Sequence, residues 1–94
     1  MGVDEGKEVV SNLEKFRVFA TSSDPEKYAE GYRGLRRTLS SIDSTDFPVE
    51  CASSAIENLE ETRSFLEKKG VTGGQVLVEI QGAIDHLEER METS

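Results

Sequence analysis

Leu77-Val78-Glu79-Ile80-Gln81-Gly82-Ala83-Ile84-Asp85-His86-Leu87 is the stretch that decides the fold. Leucine or isoleucine stands at 77, 80, 84 and 87, and Met91 extends the series. An α-helix turns once in about 3.6 residues, so steps of three and four put these side chains on one face. Such a face is stable only when other helices cover it.

The same spacing occurs three more times upstream. Val9, Leu13, Phe16 and Ala20 make one stripe; Tyr28, Tyr32 (or Gly31), Leu35, Leu39 and Ile42 make a second; Val49, Ala52, Ile56, Leu59 and Leu66 make a third. Turn chemistry separates the four, with breaks near residues 22–24, 43–47 and 70–73. Asp24-Pro25 suits a helix start: the carboxylate caps free amides, and the proline has no N–H to lose. Asp43-Ser44-Thr45-Asp46 reads as a tight polar reversal, with Thr45 or Asp46 capping the third helix. Lys68-Lys69-Gly70 reads as a helix stop, cations at the negative pole and a glycine able to turn left-handed. Thr72-Gly73-Gly74-Gln75 has the spacing of a capping box, flanked by Val71 and Val76 as a hydrophobic staple. Short connections make successive helices antiparallel neighbours. The expected fold is all-α, an antiparallel up-down-up-down four-helix bundle, formed as a single domain over residues 1–94.

One internal match bears on that architecture. Asn12-Leu13-Glu14-Lys15-Phe16-Arg17-Val18-Phe19 and Asn58-Leu59-Glu60-Glu61-Thr62-Arg63-Ser64-Phe65 share the pattern N-L-E-x-x-R-x-F. Downstream, Tyr28, Tyr32, Gly34 and Leu39 align with Val76, Ile80, Gly82 and Leu87 after a shift of two. If the match is a duplication, the chain is two pseudo-repeated helical hairpins with pseudo-twofold symmetry. Amphipathic helices of similar composition also produce such matches by chance.

Charge narrows the partners. The formal net charge is −8, from 19 acidic residues against 11 Lys and Arg. That field repels nucleic-acid phosphates and anionic lipids, so neither direct nucleic-acid binding nor a membrane partner is expected. No apolar run approaches the roughly 18–20 residues of a membrane span, and no basic stretch followed by an apolar one opens the chain. Cys51 is the single cysteine, which excludes an internal disulfide. A cytoplasmic setting and a half-buried structural thiol are the expectation.

Chemistry is harder to find. His86 is the only histidine, followed by Leu87-Glu88-Glu89-Arg90. A histidine phosphotransfer domain is a four-helix bundle with one exposed histidine, but two carboxylates just beyond it would repel a phosphoryl group, so His86 reads as an ordinary exposed histidine. Diiron bundles use Glu-x-x-His on paired helices, and one histidine cannot supply two. The Gly70–Gly74 stretch lacks the lysine and strand of a phosphate-binding loop. No catalytic residue, metal ligand or cofactor is expected, and the chain is read as not an enzyme.

Side chains off the stripes carry the remaining signal. Val18, Phe19, Phe65 and Val78 depart from the stripe centres and are interface candidates. Arg33, Arg36 and Arg37 form the densest basic cluster and are charged-contact candidates, for an anion or acidic partner or for pairing with Glu26 and Glu30. Arg17 and Arg63 interrupt apolar stripes; each either snorkels to a carboxylate or forms a register-setting pair across the bundle. The reading is a non-enzymatic protein–protein interaction module, a small acidic helical adaptor or complex subunit that binds a protein partner or a second copy. The alternative is an acidic inhibitor or immunity-type protein that blocks a basic, nucleic-acid-binding surface. Histidine phosphotransfer comes third.

Overall fold

Four α-helices and one short 3-10 turn account for the structure, a computed structural model that describes residues 1–71 and 73–93. Helix α1 spans Val3–Phe19, α2 Pro25–Asp43, α3 Ala52–Lys68 and α4 Gln75–Thr93, and the 3-10 turn, Val49–Cys51, leads into α3. No strand occurs among the described residues.

Two of the expected boundaries form by the expected chemistry. Asp24 stays extended, its Oδ1 accepts the Glu26 N–H at 3.0 Å, and Pro25 opens α2. At the end of α3, Gly70 adopts φ +94°. The Gly70 N–H donates to Glu67 O at 3.1 Å and the Val71 N–H to Leu66 O at 3.0 Å. This paired closure satisfies carbonyls that the helix leaves free. Thr72, the expected cap of α4, lies outside the described residues.

The start of α3 differs from expectation. Neither Thr45 nor Asp46 caps it: the Asp46 N–H donates to Ser44 Oγ at 3.2 Å, and α3 proper begins only at Ala52, after the 3-10 turn. The reason is Phe47. Its side chain is fully buried, so the connection dips into the core instead of reversing at the surface. Arg90 Nη1 near the end of α4 donates to the Phe47 carbonyl at 2.6 Å and holds the dip in place.

Four helix pairs enclose the interior: α1–α2, α3–α4, α1–α3 and α2–α4. The consecutive helices α2 and α3 are not a principal pair, despite their short connection. Around the bundle the order is therefore α1, α2, α4, α3. Glycines set the closest approach. A Cβ on Gly31 would overlap the main chain at Phe19 and Ala20, and one on Gly34 would overlap the Phe16 ring. The start of α1 lies beside the start of α3, where Cys51 Sγ donates to Val3 O at 3.5 Å. Their ends also meet, with Arg17 Nη1 at 3.5 Å from Thr62 Oγ1.

The stripes supply most of the core. Leu13, Leu35, Leu39, Ile42, Leu59, Leu66, Ile80, Ile84 and Leu87 are all buried. Phe16 and Ile56, which the stripes place fully inside, are half-buried against it. Tyr28 and Met91 are 47% and 43% exposed. Both stand in terminal turns, where a helix has fewer neighbours to cover it. Two hydroxyls are buried as well. Thr38 and Thr62 donate to Gly34 O and Asn58 O, each at 2.8 Å, which satisfies them inside their own helices.

Candidate functional site

The four off-stripe residues divide into two kinds. Val18 and Val78 are 54% and 65% exposed, on α1 and α4. Those helices are not a principal pair, so no shared seam unites these two valines. Phe19 and Phe65 are half-buried.

Phe65 belongs to a defined feature. Two cations lie near its ring: Arg17 Cζ is 5.4 Å from the centroid and Lys69 Nζ 5.8 Å. Such contacts hold an aromatic in one orientation at modest energy. Arg17 reaches from α1 to α3, and only 14% of its side chain is exposed. Besides Thr62, it lies 3.9 Å from both Glu61 and Glu14. Its Nε is enclosed without a hydrogen-bond partner. Arg17 thus reaches a carboxylate on its own helix and one on α3, both as long contacts. Beside Arg17 and Phe65 opens a groove of about 490 Å³ whose walls include Glu57, Glu60, Glu61 and Lys68. An apolar ring set in an acidic groove can hold the apolar stem and cationic head of a partner's lysine or arginine.

The arginine cluster also divides. Arg36 Nη2 lies 3.5 Å from Glu79 Oε1 and ties α2 to α4. Arg33 and Arg37 are exposed, and among the described residues neither forms an ion pair, with Glu26, Glu30 or any other group. They line a second groove, of about 300 Å³, with Glu30, Phe16 and Gly34. Lys15 Nζ stands 5.4 Å from the Phe16 ring centre.

Other candidates have quieter surroundings. Arg63 donates to Gln81 Oε1, and Gln81 Nε2 donates to Asp85 Oδ1 at 3.1 Å, a chain that links α3 to α4. His86 is half-buried, with Nε2 enclosed and unpartnered, which corrects the reading of an ordinary exposed histidine. Cys51 is buried at the 3-10 turn rather than half-buried. Among the described residues no group of His, Cys, Asp or Glu is arranged to hold a metal, and no helix is long and apolar enough to cross a membrane. Tyr32 has its phenol raised above the ordinary 10.0, chiefly by burial and further by the hydrogen bond and charge of Tyr28, whose ring centre is 4.7 Å away.

No family model matches the chain, and no characterised protein or solved structure shows significant similarity to it. Sequence reasoning missed the acidic groove because Glu57, Glu60 and Glu61 read as an ordinary solvated helix face. The signal available was Arg17, an arginine placed where a leucine was expected.

Proposed function

We propose that this chain is a non-enzymatic protein–protein interaction module, a small acidic adaptor or complex subunit working in the cytoplasm without a cofactor. The observation that carries the reading is Phe65, an aromatic flanked by Arg17 and Lys69 beside a groove walled by three glutamates. Fixed aromatics beside charge are typical anchors of interfaces. The net charge of −8 steers a basic partner towards it and disfavours nucleic acid. Exposed Val18 and Val78 add apolar area for a partner or a second copy.

The scaffold of this module is two pseudo-repeated hairpins whose helices alternate in direction. Exposure supports the repeat. Residues 12–19 and 58–65 share their burial class at every position except 16 and 62. Residues 30–43 and 75–88 agree everywhere except at 34 and 79. That second register pairs Leu35 with Ile80 and Leu39 with Ile84, and it replaces the alignment of Tyr28 with Val76. The hairpins stack in the same sense, α1 on α3 and α2 on α4, which a twofold axis between them would not produce.

The test uses the whole chain as bait in a lysate, beside Phe65→Glu of equal helicity. Partners held by the wild type and lost from the variant support the reading; identical partner sets overturn it. A second reading, an acidic inhibitor of a basic nucleic-acid-binding surface, is favoured by the groove's carboxylates. It requires the captured partner to be released steeply by salt and to lose nucleic acid when bound.

A further inference from the structure

Two exposed helix faces carry charge patterns that complement each other. On α2, Glu26, Glu30, Arg33, Arg37 and Ser40 recur at steps of four and three, so they share one face, and all are exposed. Read forwards, the face runs negative, negative, positive, positive, neutral. On α3, Ser54, Glu57, Glu61, Ser64 and Lys68 share one exposed face in the same way. Read backwards from Lys68, it runs positive, neutral, negative, negative, neutral.

Laid antiparallel, Glu26 meets Lys68, Glu30 meets Ser64, Arg33 meets Glu61 and Arg37 meets Glu57. No like charges face each other. A parallel alignment that sets Arg33 against Glu57 and Arg37 against Glu61 brings Glu26 opposite Glu50 and leaves Lys68 unmatched, so the antiparallel alignment makes one ion pair more and avoids that repulsion. The faces are also available. Arg33, Arg37 and Glu57 have no ion pair among the described residues, and Glu61 has only the 3.9 Å approach of Arg17. Each face borders one of the two grooves, α2 the one lined by Phe16 and Gly34, α3 the one lined by Phe65.

Within one molecule the faces do not cover each other: α2 and α3 are not a principal pair, and every residue of both faces is exposed. We propose that the α2 face docks on the α3 face of a second copy of this chain, antiparallel and head to tail. The inference rests on reading the chain as an interaction module and names its partner. Because the two faces differ, the contact is heterologous, and the pair keeps one free face of each kind for further additions. Exposed ion pairs are individually weak, so association is reversible and concentration-dependent. At 0.1 M salt the screening length is about 10 Å, which damps repulsion between distant acids more than attraction between touching groups.

Sedimentation equilibrium on three proteins tests this: the wild type, the double variant Arg33→Glu with Arg37→Glu, and the double variant Glu57→Arg with Glu61→Arg. The expected result is a wild-type mass that rises with concentration towards about 1 mM, in the range of weak complexes. Each double variant alone should remain monomeric and fully helical. Mixing the two should restore association at least about tenfold over either alone, because each supplies the charge the other has lost. A wild type that stays monomeric throughout, or variants that associate as the wild type does, overturns the docking. So does a mixture that fails to associate. Partner loss on Phe65→Glu, measured separately in lysate, would still uphold the interaction-module reading, so the two can fail independently.

Discussion

Gly31 of α2 lies against the main chain of Ala20 so closely that no side-chain carbon fits between them. One turn on, Gly34 meets the Phe16 ring. The two contacts differ in what can yield: a ring can turn, whereas main chain can move only with its helix. Alanine at 31 should cost about 1–3 kcal/mol through overpacking, and alanine at 34 less. Gly82 has nothing within 4 Å, so Gly82→Ala should stabilise by up to about 1 kcal/mol through helix propensity alone. Thermal melts followed by circular dichroism should rank Gly82→Ala above wild type, then Gly34→Ala, then Gly31→Ala. A Gly31→Ala protein as stable as wild type would refute the α1–α2 crossing.

Leu59 and Ile84 are buried on α3 and α4. Truncation of either to alanine should cost about 2–5 kcal/mol, and Phe47→Ala about 3–5 kcal/mol. Urea unfolding midpoints at unchanged slope are the measurement. A loss under about 1 kcal/mol at Phe47 would mean that the 44–48 connection does not depend on it.

Tyr32 predicts behaviour in alkali. Its folded pKa is raised above the unfolded value, so the folded state keeps the proton that the unfolded state releases. Stability is therefore intact below pH 10.0 and falls as pH climbs from there through the folded value. Tyr32→Phe should remove that fall. Melting temperatures from pH 9 to 11 are the check, and equal alkaline losses in both proteins would contradict it.

Phe65→Glu should leave the helical spectrum nearly unchanged, because the ring is half-buried beside a groove and outside the main core. Binding to a second copy or to a captured partner should drop sharply. An unfolded variant would instead make Phe65 a core residue, and Arg17 a guanidinium that packs on it for stability alone.

The helices were legible in sequence because apolar residues recur within each at steps of three and four, as Leu35, Leu39 and Ile42 do in α2 and Ile80, Ile84 and Leu87 in α4. The caps at Asp24 and Gly70 were legible because each has one residue type that solves a local hydrogen-bonding problem. Phe47 was not, since it follows four polar residues and belongs to no periodic run. Nor was the order of helices round the bundle: a stripe says that a face is covered, not which neighbour covers it. Gly31 and Gly34 could be seen in the sequence, but their function as a point of close approach depends on Ala20 and Phe16, which lie on another helix. For the same reason the arginines looked alike until Glu79 took Arg36 and left Arg33 and Arg37 alone.

The buried Phe47 has a consequence for how two chains can exchange parts. Residues 44–48 are the hinge between the hairpins, and a short hinge that straightens lets each hairpin complete its neighbour's fold instead of its own. Here straightening would pull a fully buried aromatic out of the core and break the Arg90 bond to its carbonyl. The hinge is thus bolted from inside, and hairpin exchange has to wait for near-complete unfolding. Loosening that bolt, at Phe47 or at Arg90, is the route by which this small protein would become an entangled dimer.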